Sequence, residues 1–205
     1  MKRLLLLLPA LALAACAGLK STLPAAAATP DYAGTTPASV APAAREAQLA
    51  GLQAALDQHM VQKDWGIPLQ LARTGENFVR LRLGADEAFE TGTATLSPRA
   101  LLALAEFAST LQQAPASVVH VLVHGADPGG ESATRLSSRR AASVQSYLLA
   151  RGVPATRVRA EGRDAREPVS DNLAAAANWR VDLVVRPVVT GAETEAWMPP
   201  RPDKP

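Results

Sequence analysis

The sequence predicts a two-layer α/β sandwich: a mixed sheet of about four strands with helices packed on one face, plus an N-terminal helix. Three observations carry that expectation. Segments of two-residue and helical period follow one another in the order hairpin, helix, strand, helix, strand, strand. Val118–Val123 is β-branched and almost wholly apolar, the composition of an interior strand. The segments on either side of it each carry one apolar face, as helices laid on a sheet require.

Taken in order, the chain begins MKRLLLLLPALALAAC, a basic start and then an apolar run from Leu4 to Ala15 that is too short to span a membrane. Its end, Leu13-Ala14-Ala15-Cys16, resembles the bacterial lipoprotein signal. That resemblance implies removal of residues 1–15 and attachment of lipid to Cys16. Ala17, where an Asp would favour retention at the inner membrane, points to the outer membrane. Residues 16–44, rich in Ala, Pro, Thr and Ser without apolar periodicity, read as a linker. About 28 such residues reach roughly 30 Å as a coil and at most about 85 Å as polyproline II.

Residues 45–68 hold the N-terminal helix. Leu49, Leu52, Leu56 and Met60 form one stripe, which suits packing on its own domain or against a partner, and Gly66-Ile67-Pro68 ends it. Residues 69–187 form the main domain. Leu69–Ala72 and Phe78–Leu83 read as a hairpin, the second with alternating apolar and basic residues. Ser97-Pro98 is a helix start, with Ser as N-cap and Pro at the first position, and Leu101, Leu104, Ala105, Ala108 and Leu111 are its buried stripe. After Val118–Val123, Asp127-Pro128-Gly129-Gly130 is a turn, and the next helix starts near Ser132 or Thr134 and runs to Arg151. Gly152 is its C-cap. Within the preceding strand His120 is expected to be a packed, satisfied side chain. Val158–Glu161 and Arg180–Pro187 are the last strands, and residues 188–205, rich in Pro, read as a disordered tail.

Composition narrows the function classes. Without Lys2 and Arg3, Lys+Arg falls from 21 to 19, equal to the 19 Asp+Glu. A near-neutral chain lacks the basic excess of a nucleic-acid binder. One cysteine excludes an internal disulfide, and neither a Cys/His cluster nor a Ser–His–acid or paired-carboxylate motif is present. A binding module, with no cofactor and no catalytic residue, is the expectation.

The chemistry concentrates in Val118–Ala141, a strand, a Gly-rich turn carrying Asp127, and a helix bringing in Arg139 and Arg140. An acid and an arginine across a cleft suit a ligand with both an ammonium and a carboxylate, and the Arg fork recognises a carboxylate bidentately. A cation near a helix start opposes the helix dipole and so asks for an anionic partner, which first-turn amides around Thr134 to Leu136 would supplement.

Several motifs occur in a fixed order between Val79 and Val185. Phe89, Gly92 and Leu96 match F-x-x-G-x-x-x-L. His124-Gly125-Ala126-Asp127-x-x-Gly130 is similar to G-H-T-D-x-x-G. Leu136-Ser137-x-x-Arg140-Ala141 matches L-S-x-x-R-A, and Asn178-Trp179-Arg180-Val181 is similar to N-R-R-V. The ordered set resembles the OmpA-like C-terminal domain of peptidoglycan-associated lipoproteins. The resemblance implies an OmpA-like fold and non-covalent binding of the peptidoglycan stem peptide at its diaminopimelate residue. Asp127 would accept the ammonium, Arg140 pair with the carboxylate, and Arg180 line the same cleft. Gly125, Ala126, Ala133 and Trp179 stand where the family has polar groups.

The first functional reading is therefore a protein of the outer membrane, lipid-anchored through Cys16 and facing the periplasm, that ties the membrane to peptidoglycan. The alternative is a degenerate OmpA-like domain serving as a protein-interaction subunit of an envelope assembly, with other envelope proteins as partners through the 45–63 helix and Trp179.

Overall fold

The structure, a computed structural model, describes residues 36–73, 77–125, 131–164, 167–172 and 176–198, and in the helix beginning at Glu131 the side chains from Arg135 onward. Met1–Cys16, most of the linker and Asp127 lie outside the described residues. No helix among the described residues is long and apolar enough to cross a membrane.

The sheet has five strands rather than about four: β1 (Leu69–Arg73), β2 (Val79–Gly84), β3 (Ser117–His124), β4 (Val158–Asp164) and β5 (Arg180–Pro187), in the spatial order β1-β2-β5-β3-β4. β3 and β4 run parallel and every other neighbouring pair is antiparallel. The parallel pair is joined through a long helix, as such a connection requires. β3 lies between β5 and β4 and is buried along its whole length, which is why its sequence is apolar rather than alternating.

Among the described residues four α-helices accompany the sheet: α1 (Arg45–Leu56), α2 (Ala85–Ala88), α3 (Pro98–Gln113) and α4 (Glu131–Ala150). α1 continues into one turn of π-helix, Asp57–Val61. Its stripe of Leu49, Leu52, Leu56 and Met60 is buried in the same cluster as Leu81, Val121 and Leu183 from the sheet. Each of those four side chains contributes roughly 1.5–3 kcal/mol by leaving water. The helix that the sequence left open to a partner is thus part of the domain's own core. Ser97 caps α3 by accepting from Ala100 N–H at 3.1 Å, and its hydroxyl donates to the Glu87 carbonyl at 2.6 Å.

α4 starts at Glu131, slightly earlier than its apolar pattern suggests, and ends in a Schellman motif. There Gly152, at φ +86°, donates to Leu149 O and Val153 donates to Leu148 O. β4 runs three residues past Glu161 because Gly162 admits the helix: a side chain there would meet Ser138 N at 2.5 Å and Ser137 Oγ at 2.6 Å.

Two expectations about the ends of the domain are corrected. The linker does not extend to residue 44 unattached, because Val40 bridges Val189, with Val40 N–H donating to Val188 O at 2.8 Å and Thr190 N–H donating to Val40 O at 2.9 Å. The segment after Val188, expected to be disordered, is placed as far as Met198. Val188 and Ala196 bury themselves against Val118, and Trp197 lies under the Arg159 guanidinium at 4.1 Å. The apolar residues between the prolines were enough to hold it.

The sheet face turned away from the helices carries a buried polar network. Arg82 Nε and Nη2 grip both oxygens of Asp182 at 2.7 and 2.9 Å, across paired strands. Burial pushes the Asp182 carboxyl up, but the Arg82 hydrogen bonds and the Arg82 and Arg180 charges outweigh it and hold the group below its ordinary range. His120 and His124 lie on the same face, buried. His120 is packed as expected but not satisfied, because its Nδ1 has no hydrogen-bond partner among the described residues.

Candidate ligand-binding site

Three segments meet on the helix side of the sheet: α2, which follows β2 directly; the turn between Phe89 and Leu96; and the first half of α4. The turn is held by its own backbone. Phe89 bridges Leu96, Glu90 N–H donates to Thr95 O at 2.9 Å, Thr93 N–H donates to Glu90 O at 3.0 Å, and Gly92 takes a φ of +70° that glycine adopts without strain.

The Arg140 side chain reaches from α4 onto this turn. It is 5% exposed, its guanidinium sits 4.8 Å above the Phe89 ring, and its Nε donates to the Thr93 carbonyl at 2.8 Å. Burial pulls its pKa below the ordinary value, and the charge of Asp86 offsets part of that. The group stays a cation. Stacking and the single Nε bond fix the plane of the guanidinium, and among the described residues its two Nη atoms make no hydrogen bond. That is the edge of the fork that takes a carboxylate.

Its position on α4 differs from the one the sequence suggested. The helix begins at Glu131, so Arg140 is in its third turn. The dipole acts within the first turn only, and the amides of Arg135 and Leu136 already belong to the helix ladder. The case for an anionic partner rests on the fixed, half-bonded fork instead.

Asp127, the expected ammonium acceptor, falls outside the described residues. Asp86 is a second acid on the Arg140 side, exposed on α2 and close enough to act on the Arg140 charge. Sequence reasoning passed over it, although it stands three residues before the Phe89 of the first motif.

Arg180 stands elsewhere. It pairs with Gly84 across β2 and with His124 across β3, and turns its side chain to the face away from the helices. There it is 3% exposed, with Nε donating to Asp182 Oδ2 at 3.2 Å and Nη2 to Glu167 O at 2.9 Å. Neither Asp182 nor Glu167 is among the Arg140 contacts, Thr93 and Phe89. Asn178, two residues before it, ties the neighbouring loop by accepting from Val169 and Ser170 N–H and donating to Ser170 O and Asn172 O. Trp179, between them, is partly buried against the core. Asn178 and Arg180 therefore tie down the 167–172 loop, Arg180 through the Glu167 carbonyl. Among the described residues no group of three or more His, Cys, Asp or Glu could hold a metal ion.

The model of the OmpA family matches residues 88–180, the span that contains Phe89, Thr93, Arg140 and Arg180. The chain carries an OmpA family domain there. A relative named "Probable lipoprotein YiaD", from Escherichia coli strain K12, is 32% identical over 127 residues, covering 60% of this chain and 58% of that protein. The chain thus spans a little over half the length of that relative. Among solved structures, the periplasmic domain of Helicobacter pylori MotB aligns with a TM-score of 0.56 at 16% identity, covering 66% of this chain and 88% of that one. The cell wall anchor of the T6SS from Pseudomonas aeruginosa aligns with a TM-score of 0.52 at 24% identity, covering 68% and 96%. At these identities the two structures speak for the fold, a mixed sheet with helices as seen here.

Proposed function

We propose that this OmpA family domain binds the peptide stem of peptidoglycan without forming a covalent bond. Arg140 takes a carboxylate of the diaminopimelate residue through its Nη edge, and Asp127 takes the ammonium. Arg180 serves as a positioning residue that holds the 167–172 loop beside the site. The observation that carries this reading is the state of Arg140: buried, stacked on Phe89, anchored through Nε and unengaged at Nη among the described residues. The likeness of the fold to a cell wall anchor supports the same reading. With lipid on Cys16, the domain would stand in the periplasm and tie the outer membrane to the wall as a binding module, not an enzyme. The interaction-subunit alternative draws less support, because the apolar stripe of α1 is buried in the core and Trp179 is partly buried against it.

Co-sedimentation of the full chain with purified sacculi tests the binding. Arg140→Ala should weaken it by about 10- to 100-fold, the worth of a hydrogen-bonded charge. Pull-down retained in the Asp127→Ala, Arg140→Ala double variant would sink the assignment. Incorporation of a palmitate analogue in cells, abolished by Cys16→Ala, tests the anchor; label retained in that variant removes Cys16 as the lipidated residue.

A further inference from the structure

We infer that the groove beside Arg140 receives the peptide arm continuing beyond the residue Arg140 holds, a short run of methyl-bearing residues ending in a carboxylate, and that Arg139 meets that carboxylate. The inference rests on the stem-peptide reading above and extends its site.

The groove runs between the 92–96 turn and the outer flank of α4 and has a volume of about 990 Å³, at the upper end of the roughly 300–1,000 Å³ usual for ligand pockets. Thr93 joins it to the Arg140 site. Its carbonyl accepts the Arg140 Nε hydrogen bond, and the residue also lines the groove. Thr93 and Arg139, the chain neighbour of Arg140, thus border the groove next to the Arg140 site.

The lining selects what lies there. Ala94 and Ala142 present single methyl groups. They leave room for a bound main chain with small side chains and offer no deep slot for a large one. Ser143 and Ser146, one helical turn apart, line the same wall, and neither hydroxyl is taken by another of the described residues. Both hydroxyls can donate to or accept from the main chain of a bound peptide. Tyr147 closes the end as a fixed wall: its hydroxyl donates to Leu101 O at 2.7 Å and accepts from Arg151 Nη2 at 2.6 Å. Among the described residues the groove's one charge is Arg139, which is exposed and makes no hydrogen bond or ion pair with them. Methyl-sized walls, amide-reading hydroxyls and one cation complement an alanyl–alanine end bearing a free carboxylate. An exposed guanidinium pairs with such a group in bidentate fashion.

Binding of two soluble fragments tests this, each a disaccharide carrying a stem, one ending at diaminopimelate and the other continuing through two alanines. The full chain should bind the longer fragment about tenfold more tightly, the size of one charge-assisted contact. The ratio should collapse to about one in Arg139→Ala, a change at an exposed site that leaves the core intact, and in Ala142→Trp, which fills the groove. A wild-type ratio near one, or a tenfold ratio surviving in both variants, overturns the groove assignment while the stem-peptide reading stands. Binding of the disaccharide alone that is lost in Arg139→Ala would give the groove to the glycan and overturn the inference. Failure of the wild type to bind either fragment overturns the stem-peptide reading and the groove with it.

Discussion

Lowering the pH from 7 to 5 should destabilise the domain by about 4 kcal/mol, half of it through His124. That side chain is 2% exposed, with Nε2 3.6 Å from Asp182 Oδ2 and Nδ1 4.0 Å from Glu167 Oε2. The two carboxylates invite a charged imidazole, and the distances are too long for hydrogen bonds. Burial decides the matter, joined by the Arg180, Arg82 and Arg163 charges against the single favourable pull of Asp182, and the pKa falls to about 3. His120, lowered mainly by burial despite Glu161, falls to about 4. Both folded values lie below the ordinary 6.5. The unfolded chain therefore takes up the protons first: each histidine's contribution is whole above pH 6.5 and is lost as the pH falls toward the folded pKa. At pH 5 each is about 1.5 units into that window, about 2 kcal/mol. The carboxyls of Asp182 and Glu106 are held below ordinary values of 3.8 and 4.5. Their contributions fade only at lower pH, and the interval from 7 to 5 isolates the histidines. In urea, with a slope of about 2 kcal/mol per M, the midpoint should drop by roughly 2 M for the wild type and roughly 1 M for His124→Leu. Equal midpoints at the two pH values, or a full shift surviving in His124→Leu, would refute the assignment of neutral buried imidazoles.

Two further perturbations test the packing. Arg157 is 6% exposed and donates to Ser117 O, Leu111 O, Ala114 O and Ser117 Oγ, closing the C-terminal end of α3 over β3. Arg157→Met should cost about 1–3 kcal/mol by taking the guanidinium donor from Ser117 O, while Leu111 O and Ala114 O keep Ala114 N–H and the Ser117 hydroxyl, and a melting temperature within a degree or two of wild type would show that water replaces the guanidinium easily. Gly162→Ala forces a methyl into the Ser137–Ser138 backbone of α4 and should cost about 1–3 kcal/mol by overpacking; an unchanged urea midpoint would mean that α4 can ride away from β4.

Much of the architecture could be read from the chain because its determinants are local. The Ser97-Pro98 start, the Gly152 stop and the apolar run of β3 state their structure within a few residues. The polar face was not legible. Asp182 looks like one acid in a strand of valines, and only its partner, 100 residues away on β2, explains how it can be buried. His120 was expected to be satisfied because buried polar groups usually are; a sequence cannot say that its neighbours are arginines and a distant glutamate. The tail after Val188 was misread for a related reason, since its anchors, Val40 and Val118, come from far earlier in the chain.

The site divides along the same line. Arg140 was legible as a residue, through its place in L-S-x-x-R-A, but the physical reason first attached to it fails, because its third-turn position puts it beyond the reach of the helix dipole. What equips it for a carboxylate is a bed built elsewhere. Phe89 fixes the plane of the guanidinium, and the Thr93 carbonyl occupies Nε and leaves the opposite edge for a ligand. Both come from the turn that begins the first motif. The separate motifs thus describe one object: the 89–96 turn orients the arginine that α4 supplies. A loop substitution such as Phe89→Leu, which leaves every charge in place, should therefore weaken sacculus binding by loosening the fork, with about 0.5–2 kcal/mol of cation–π stacking at stake. Full binding in that variant would mean that Arg140 needs no such bed, and the geometric argument for its role would fall with it.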